Sequence, residues 1–198
     1  MNNTDFDTLI SSILSCRHCA ETFGFTPSPV VWGNKDAKIM HISQAPSKTV
    51  SQSLQPFTDK SGQKLKYQWY DITDEIFYDK DNFYITSVSH CYPGKNKHGG
   101  DRLPPKLCFD RWVKKEIETV NCELYIIVGS HAAGRIFPKK DFGELVFTDM
   151  TLNDRKCLIL PHPSPLNRRW LAENPEFEEK RLPYIRNIIH DILNISKE

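Results

Sequence analysis

Leu124-Tyr125-Ile126-Ile127-Val128-Gly129, followed at once by a helix-forming segment over residues 131–136, is the stretch on which the fold turns. Five consecutive apolar residues closed by a glycine read as a strand buried on both faces, as strands are in a parallel sheet covered by helices. Working outward, the same alternation recurs. Upstream lie a helical pattern over 106–120, a β-branched and aromatic strand over 83–88, a helix over 64–77 and a strand over 37–43. Downstream come a strand over 156–160 and a closing helix over 178–195. An early helix carries Phe6, Leu9, Ile10 and Ile13 on one face. The expectation is an α/β protein: three αβα layers around a central, mostly parallel four-stranded sheet. With 198 residues and no repeat or linker, residues 1–198 read as a single domain.

In such sheets ligands bind at the carboxyl ends of the strands. Three segments sit there: Gln44-Ala45-Pro46-Ser47, residues 87–91, and residues 161–167. The net charge is +1, so no overall basic field announces nucleic acid, although local basic patches govern phosphate binding. No apolar run reaches membrane-spanning length and the first residues lack a signal-peptide pattern, which predicts a cytoplasmic protein without a membrane partner.

Six cysteines in a reducing compartment point to ligands and buried thiols rather than disulfides. Four of them are spaced as Cys16-x2-Cys19 and Cys91-x16-Cys108. Two tight knuckles, the mark of a zinc ribbon, are absent, but four soft thiolates suit zinc and iron–sulfur clusters alike. At this level two unrelated thiol pairs remain equally open. Cys157, in an apolar run, reads as a buried thiol.

The densest chemistry is Pro161-His162-Pro163-Ser164-Pro165-Leu166-Asn167-Arg168-Arg169-Trp170. Prolines on both sides restrict the backbone of His162, which suits an imidazole aimed at developing negative charge. Ser164 can donate to a phosphate, Leu166 can act as an apolar wedge, and Arg168 and Arg169 can contact a nucleic-acid backbone. Taken alone, the segment also fits a proline-rich turn with a solvated basic end. Lys95, Lys97, His98 and Arg102 form a second basic stretch, in a Gly-rich loop between Cys91 and Cys108.

Cys16-x2-Cys19, Gln44-Ala45-Pro46, Pro56-Phe57, Tyr84-Ile85-Thr86 leading to Cys91, Cys108, and His162-Pro163-Ser164 occur in this order. Together they resemble the iron–sulfur branch of the uracil-DNA glycosylase superfamily over nearly the whole chain. The resemblance implies a structural [4Fe–4S] cluster on Cys16, Cys19, Cys91 and Cys108. It also implies hydrolysis of the N-glycosidic bond of a deaminated base in DNA, such as uracil, in base excision repair. The base must be flipped out of the duplex to be reached. Phe57 would stack on it, Gln44, Ala45 and Ser87 would contact it, and His162 would stabilise the charge on the departing base. Leu166 or Asn167 would fill the gap, with Ser164, Arg168 and Arg169 on the DNA. A monomer is the expected state for such an enzyme.

The sequence departs from the uracil-preferring group, often called family 4, at two places. An acid of the first motif is replaced by Gln44, which cannot take a proton, and an asparagine that reads the base edge is replaced by Ser87. Both departures resemble a second iron–sulfur group, called family 5, in which an aspartate follows the stacking phenylalanine. Asp59, in Phe57-Thr58-Asp59-Lys60-Ser61-Gly62, is accordingly the expected carboxylate that positions water, although a turn aspartate is the simpler reading. Two other functions remain open at this stage: a non-catalytic nucleic-acid-binding relative, and a hydrolase of small N-glycosides.

Overall fold

A computed structural model describes residues 3–196. Its centre is a sheet in the order β2-β1-β3-β5-β4, formed by β1 (Ile39–Ser43), β2 (Phe83–Ser87), β3 (Leu124–Val128), β4 (Met150–Leu152) and β5 (Arg155–Leu160). β2, β1, β3 and β5 are parallel, and every residue of β1, β2 and β3 is buried. The continuous apolar runs therefore mark a sheet covered on both faces. Alternation along β2 sorts the covering layers. Tyr84 meets Phe6 of the Asn3–Leu14 helix and Glu116 of the 106–119 helix, whereas Phe83 stacks on Tyr70 and packs against Phe77 from the opposite layer.

Two expectations need correction. The sheet has a fifth strand, β4, which pairs antiparallel with β5. Its hairpin turn is Asn153-Asp154, with φ of 47° and 58°, the left-handed pair of a type I′ turn that Asn and Asp accept more readily than most residues. The dipeptide was the available signal, and the three-residue strand was too short to show a period. The helix expected over 64–77 is two helices. The first occupies residues 60–70 and ends where Asp71 turns left-handed at φ 56°; the second, Asp74–Tyr78, begins on a Thr73 cap whose hydroxyl accepts the Ile76 N–H. Both keep their apolar faces on one layer, so the periodicity ran through the break.

The chain steps from β1 to β2 on one side and then to β3 on the other, which makes the β1–β3 boundary the point where the winding reverses. A crevice opens there at the carboxyl ends. Among the described residues, no helix is long and apolar enough to cross a membrane.

Candidate active site and cysteine cluster

A cleft of about 550 Å³ lies at those strand ends. β1 delivers Ser43, Gln44, Ala45, Pro46 and Ser47; β2 delivers Thr86 and Ser87; β5 delivers His162, Ser164, Leu166 and Asn167. Phe57 and Asp59 complete it from the loop after the Lys48–Ser53 helix. All six expected base-contacting and catalytic residues, Gln44, Ala45, Phe57, Asp59, Ser87 and His162, thus line one cavity.

His162 is held as a donor. Its Nδ1 accepts the backbone N–H of Ser164 at 3.1 Å, so the proton of the neutral ring sits on Nε2. Burial lowers the imidazole below the ordinary histidine value; the Asp59 carboxylate opposes that shift and His131 reinforces it. Asn167 Nδ2 donates to the His162 carbonyl at 3.2 Å, and the Ser164 hydroxyl accepts the Leu166 N–H at 3.3 Å. These bonds tie the turn together and leave Leu166 projecting, 96% exposed.

Asp59 has a structural duty: its Oδ1 accepts the Gly62 N–H at 3.0 Å and caps the 60–70 helix. It also faces the cleft, so the turn reading and the carboxylate reading hold together. Phe57 adopts φ 57°, and its ring meets His41 edge-on at 4.9 Å and Phe77 at 5.8 Å. It is a core aromatic with one side in the cleft. A Cβ on Gly62 would stand 1.9 Å from the Phe57 carbonyl oxygen, which explains the glycine. Ser87 pairs with Ser43 across the β1–β2 boundary, Oγ to Oγ at 2.8 Å.

Arg168 and Arg169 lie outside the cleft on the exposed helix Arg168–Glu173, Arg169 bonded to Glu173 at 2.8 Å. Trp170, next to these arginines, turns inward: its ring lies 5.9–6.4 Å from those of Phe177, Phe142 and Phe147, because burial of an indole outweighs exposure next to arginines. The loop between Cys91 and Cys108 is knit rather than loose. Lys95 bridges Asp101, and Arg102 donates to the carbonyls of Lys95 and Phe23. Lys97 and His98 stand exposed near its tip.

Sequence reasoning missed three cleft-side histidine and serine positions. His131 follows β3 as the other segments follow β1 and β5, so the strand-end rule had pointed to it. Ser43 stands one residue before the segment singled out. His41 is fully buried behind Phe57, and burial together with repulsion from His162 pulls its imidazole down to about 3.

Cys16, Cys19, Cys91 and Cys108 come from three separate segments, yet they line one small pocket together with Ile13, Pro27, Pro29 and Trp112. Among the described residues no three His, Cys, Asp or Glu side chains close on a single-ion position. Burial raises Cys19, with Cys108 and Cys16 adding to the shift, and burial pushes Cys91 up to about 12. Bound iron would supply the positive charge that removes those protons. Four soft donors, apolar cover and mutual proximity fit an iron–sulfur cluster. Cys122 and Cys157 are buried in the core, as expected of inert thiols.

A mostly parallel sheet thus carries a cleft at its winding reversal, an imidazole held as a donor, and a thiol-lined pocket alongside. A model of the uracil DNA glycosylase superfamily matches residues 30–186, and the chain belongs to that superfamily. The chain is similar to the type-4 uracil-DNA glycosylase of Archaeoglobus fulgidus, with 26% identity over 188 residues, spanning 89% of this chain and 90% of that protein. It is also similar to the type-4 uracil-DNA glycosylase of Saccharolobus solfataricus, with 23% identity over 136 residues, 68% of this chain and 60% of that one.

Proposed function

We propose that this protein is an iron–sulfur uracil-DNA glycosylase that flips a deaminated base into the cleft and hydrolyses its N-glycosidic bond in base excision repair. The observation that carries the reading is the convergence of Phe57, Asp59, Ser87 and His162 from separate parts of the chain on one cleft. Phe57 offers its ring to the flipped base. The Ser43–Ser87 hydroxyl pair and Gln44 contact the base edge; because a hydroxyl both donates and accepts, this pair discriminates less sharply than an amide would.

As the bond to the sugar lengthens, negative charge collects on the base. The Nε2–H of His162 donates to the base carbonyl oxygen, and Ser164 keeps the ring in that tautomer. Since burial favours the neutral ring, the donor is available without prior protonation. The Asp59 oxygen not engaged in the cap orients water toward the cationic sugar carbon, the second half of a glycosidic hydrolysis. Leu166 enters the space left by the base, Asn167 borders it, and Ser164, Arg168 and Arg169 meet the phosphates, with Lys97 and His98 as a further contact.

Cys16, Cys19, Cys91 and Cys108 would hold a [4Fe–4S] cluster, which when bound supplies a covalent brace between the N-terminal segment and the loop beyond β2. No step of the hydrolysis runs through it. One continuous core joining Phe6 to Leu193 supports a single catalytic domain, and the absence of disulfides among the described cysteines fits a cytoplasmic protein; the reading takes it as a monomer.

The test is alkali-sensitive breakage of labelled oligonucleotides carrying uracil, hypoxanthine or xanthine, with iron-loaded protein. Abasic product from at least one is expected. No product from any would replace the enzyme with a base-binding relative, and cleavage confined to free nucleosides would make it a small-glycoside hydrolase.

A further inference from the structure

Behind the cleft, on the opposite side of β2 from Phe83, lies a polar network that the proposed hydrolysis does not use. Glu116, on the 106–119 helix, is fully buried. Its Oε1 accepts the Tyr84 hydroxyl at 2.6 Å and its Oε2 accepts the Thr86 hydroxyl at 3.2 Å. The same Oε2 lies 2.9 Å from His90 Nε2. The other ring nitrogen of His90, Nδ1, lies 3.2 Å from the sulfur of Cys108, and the His90 backbone N–H reaches that sulfur at 3.4 Å.

A buried carboxylate is costly unless charged or polar groups satisfy it, and an apolar pair of the same volume would serve packing alone as well or better. This network instead continues through His90 to a cysteine sulfur. Hydrogen-bond counting fixes the direction. A metal-bound thiolate has no proton to give, so at the Cys108 sulfur the His90 Nδ1–H and backbone N–H are the donors. The ring thus bridges the Cys108 sulfur on one side and, through Nε2, the Glu116 carboxyl group and the Thr86 hydroxyl on the other. Orientation of a ligand by a hydrogen-bonded neighbour in this manner tunes how tightly a metal is held, and hydrogen bonds to cluster sulfurs are among the terms that set cluster potential.

We propose that the Glu116–His90 pair holds Cys108 as a hydrogen-bonded thiolate and thereby sets the retention and the reduction potential of the iron–sulfur centre. His90 and Glu116 act as positioning residues, and the proposal rests on the cluster reading above. Thr86, which bonds Glu116 and also lines the cleft, brings this network to within one residue of Ser87.

Iron-loaded parent, His90→Leu, His90→Gln and Glu116→Gln proteins would be compared by iron and sulfide content, by the rate at which a chelator bleaches the visible absorption, and by the midpoint potential of the accessible cluster couple. His90→Leu should bleach about 10-fold or more faster, the usual scale for losing such a partner. Its potential should fall, because the more electron-rich reduced cluster loses a donor. His90→Gln, which can still present an N–H, should recover part of the potential, and Glu116→Gln should move the potential away from the parental value. A folded His90→Leu with parental bleaching rate and potential overturns the proposal. If that variant fails to fold, parental values in Glu116→Gln overturn it. Parent protein devoid of iron and sulfide removes the cluster reading and this proposal together, whereas a loaded parent with indifferent variants removes this proposal alone.

Discussion

Asp59 shows why a single residue has to be tested with more than one substitution. Its Oδ1 caps a helix through the Gly62 N–H, and the carboxylate also borders the cleft beside His162. Asparagine preserves the capping oxygen and removes the charge, so Asp59→Asn isolates the proposed catalytic role. Excision is expected to drop about 10-fold or more with little change in melting temperature, while Asp59→Ala adds a stability loss of about 1 kcal/mol from the missing cap. His162→Ala should lower the rate about 10²-fold or more, the scale for one preorganised donor to a developing anion. Single-turnover measurements on the same oligonucleotide check all three; full activity in Asp59→Asn would leave Asp59 as a cap only.

Elements carry the site by their ends and junctions. The Phe57 loop and the 60–70 helix are in such close contact that the Gly62 position has no room for a methyl group: its Cβ would lie 2.6 Å from Phe57 Cα as well as against the Phe57 carbonyl. Gly62→Ala must therefore push the loop that aims Phe57 at the cleft. A destabilisation of about 1–3 kcal/mol is expected, the range for forced overpacking, accompanied by weaker excision. Thermal melts and activity measured on one preparation decide the point, and parental values in both would show that the loop yields freely. The His162 turn works differently: the prolines restrict it, and the Ser164 and Asn167 bonds finish the job.

At the scale of the molecule, the buried histidine behind the cleft couples fold stability to pH. His41 has a native value of about 3 against an ordinary histidine value of 6.5. Between those limits the unfolded chain binds a proton that the native chain does not, so stability rises with pH across that window and is lost as pH falls below 6.5. One such group contributes about 1.4 kcal/mol per pH unit. His162, lowered in the same direction, adds to the loss. His41→Leu should flatten the acid arm of stability by that amount, read from urea midpoints at pH 7, 5.5 and 4.5; an unaltered slope would show that His41 does not titrate as its burial requires.

The α/β class, the order of the parallel strands along the chain and the segments that reach the cleft were legible in the sequence, because apolar period and strand-end position are local properties. Local reading also isolated His162 between its prolines and the four cysteines by their spacing. It did not separate the 60–70 helix from Asp74–Tyr78, since both present one apolar face and only the left-handed Asp71 divides them. Nor did it show Trp170 turned inward, or the line from Glu116 through His90 to Cys108, whose members stand 18 and 26 residues apart. Those features depend on which distant groups share a dry interior. The sequence by itself determined which residues carry the imidazole, carboxylate and thiol groups on which the proposed function draws. Only the tertiary structure decided which of them meet, because desolvation and hydrogen-bond pairing are properties of positions in space and not of positions along the chain.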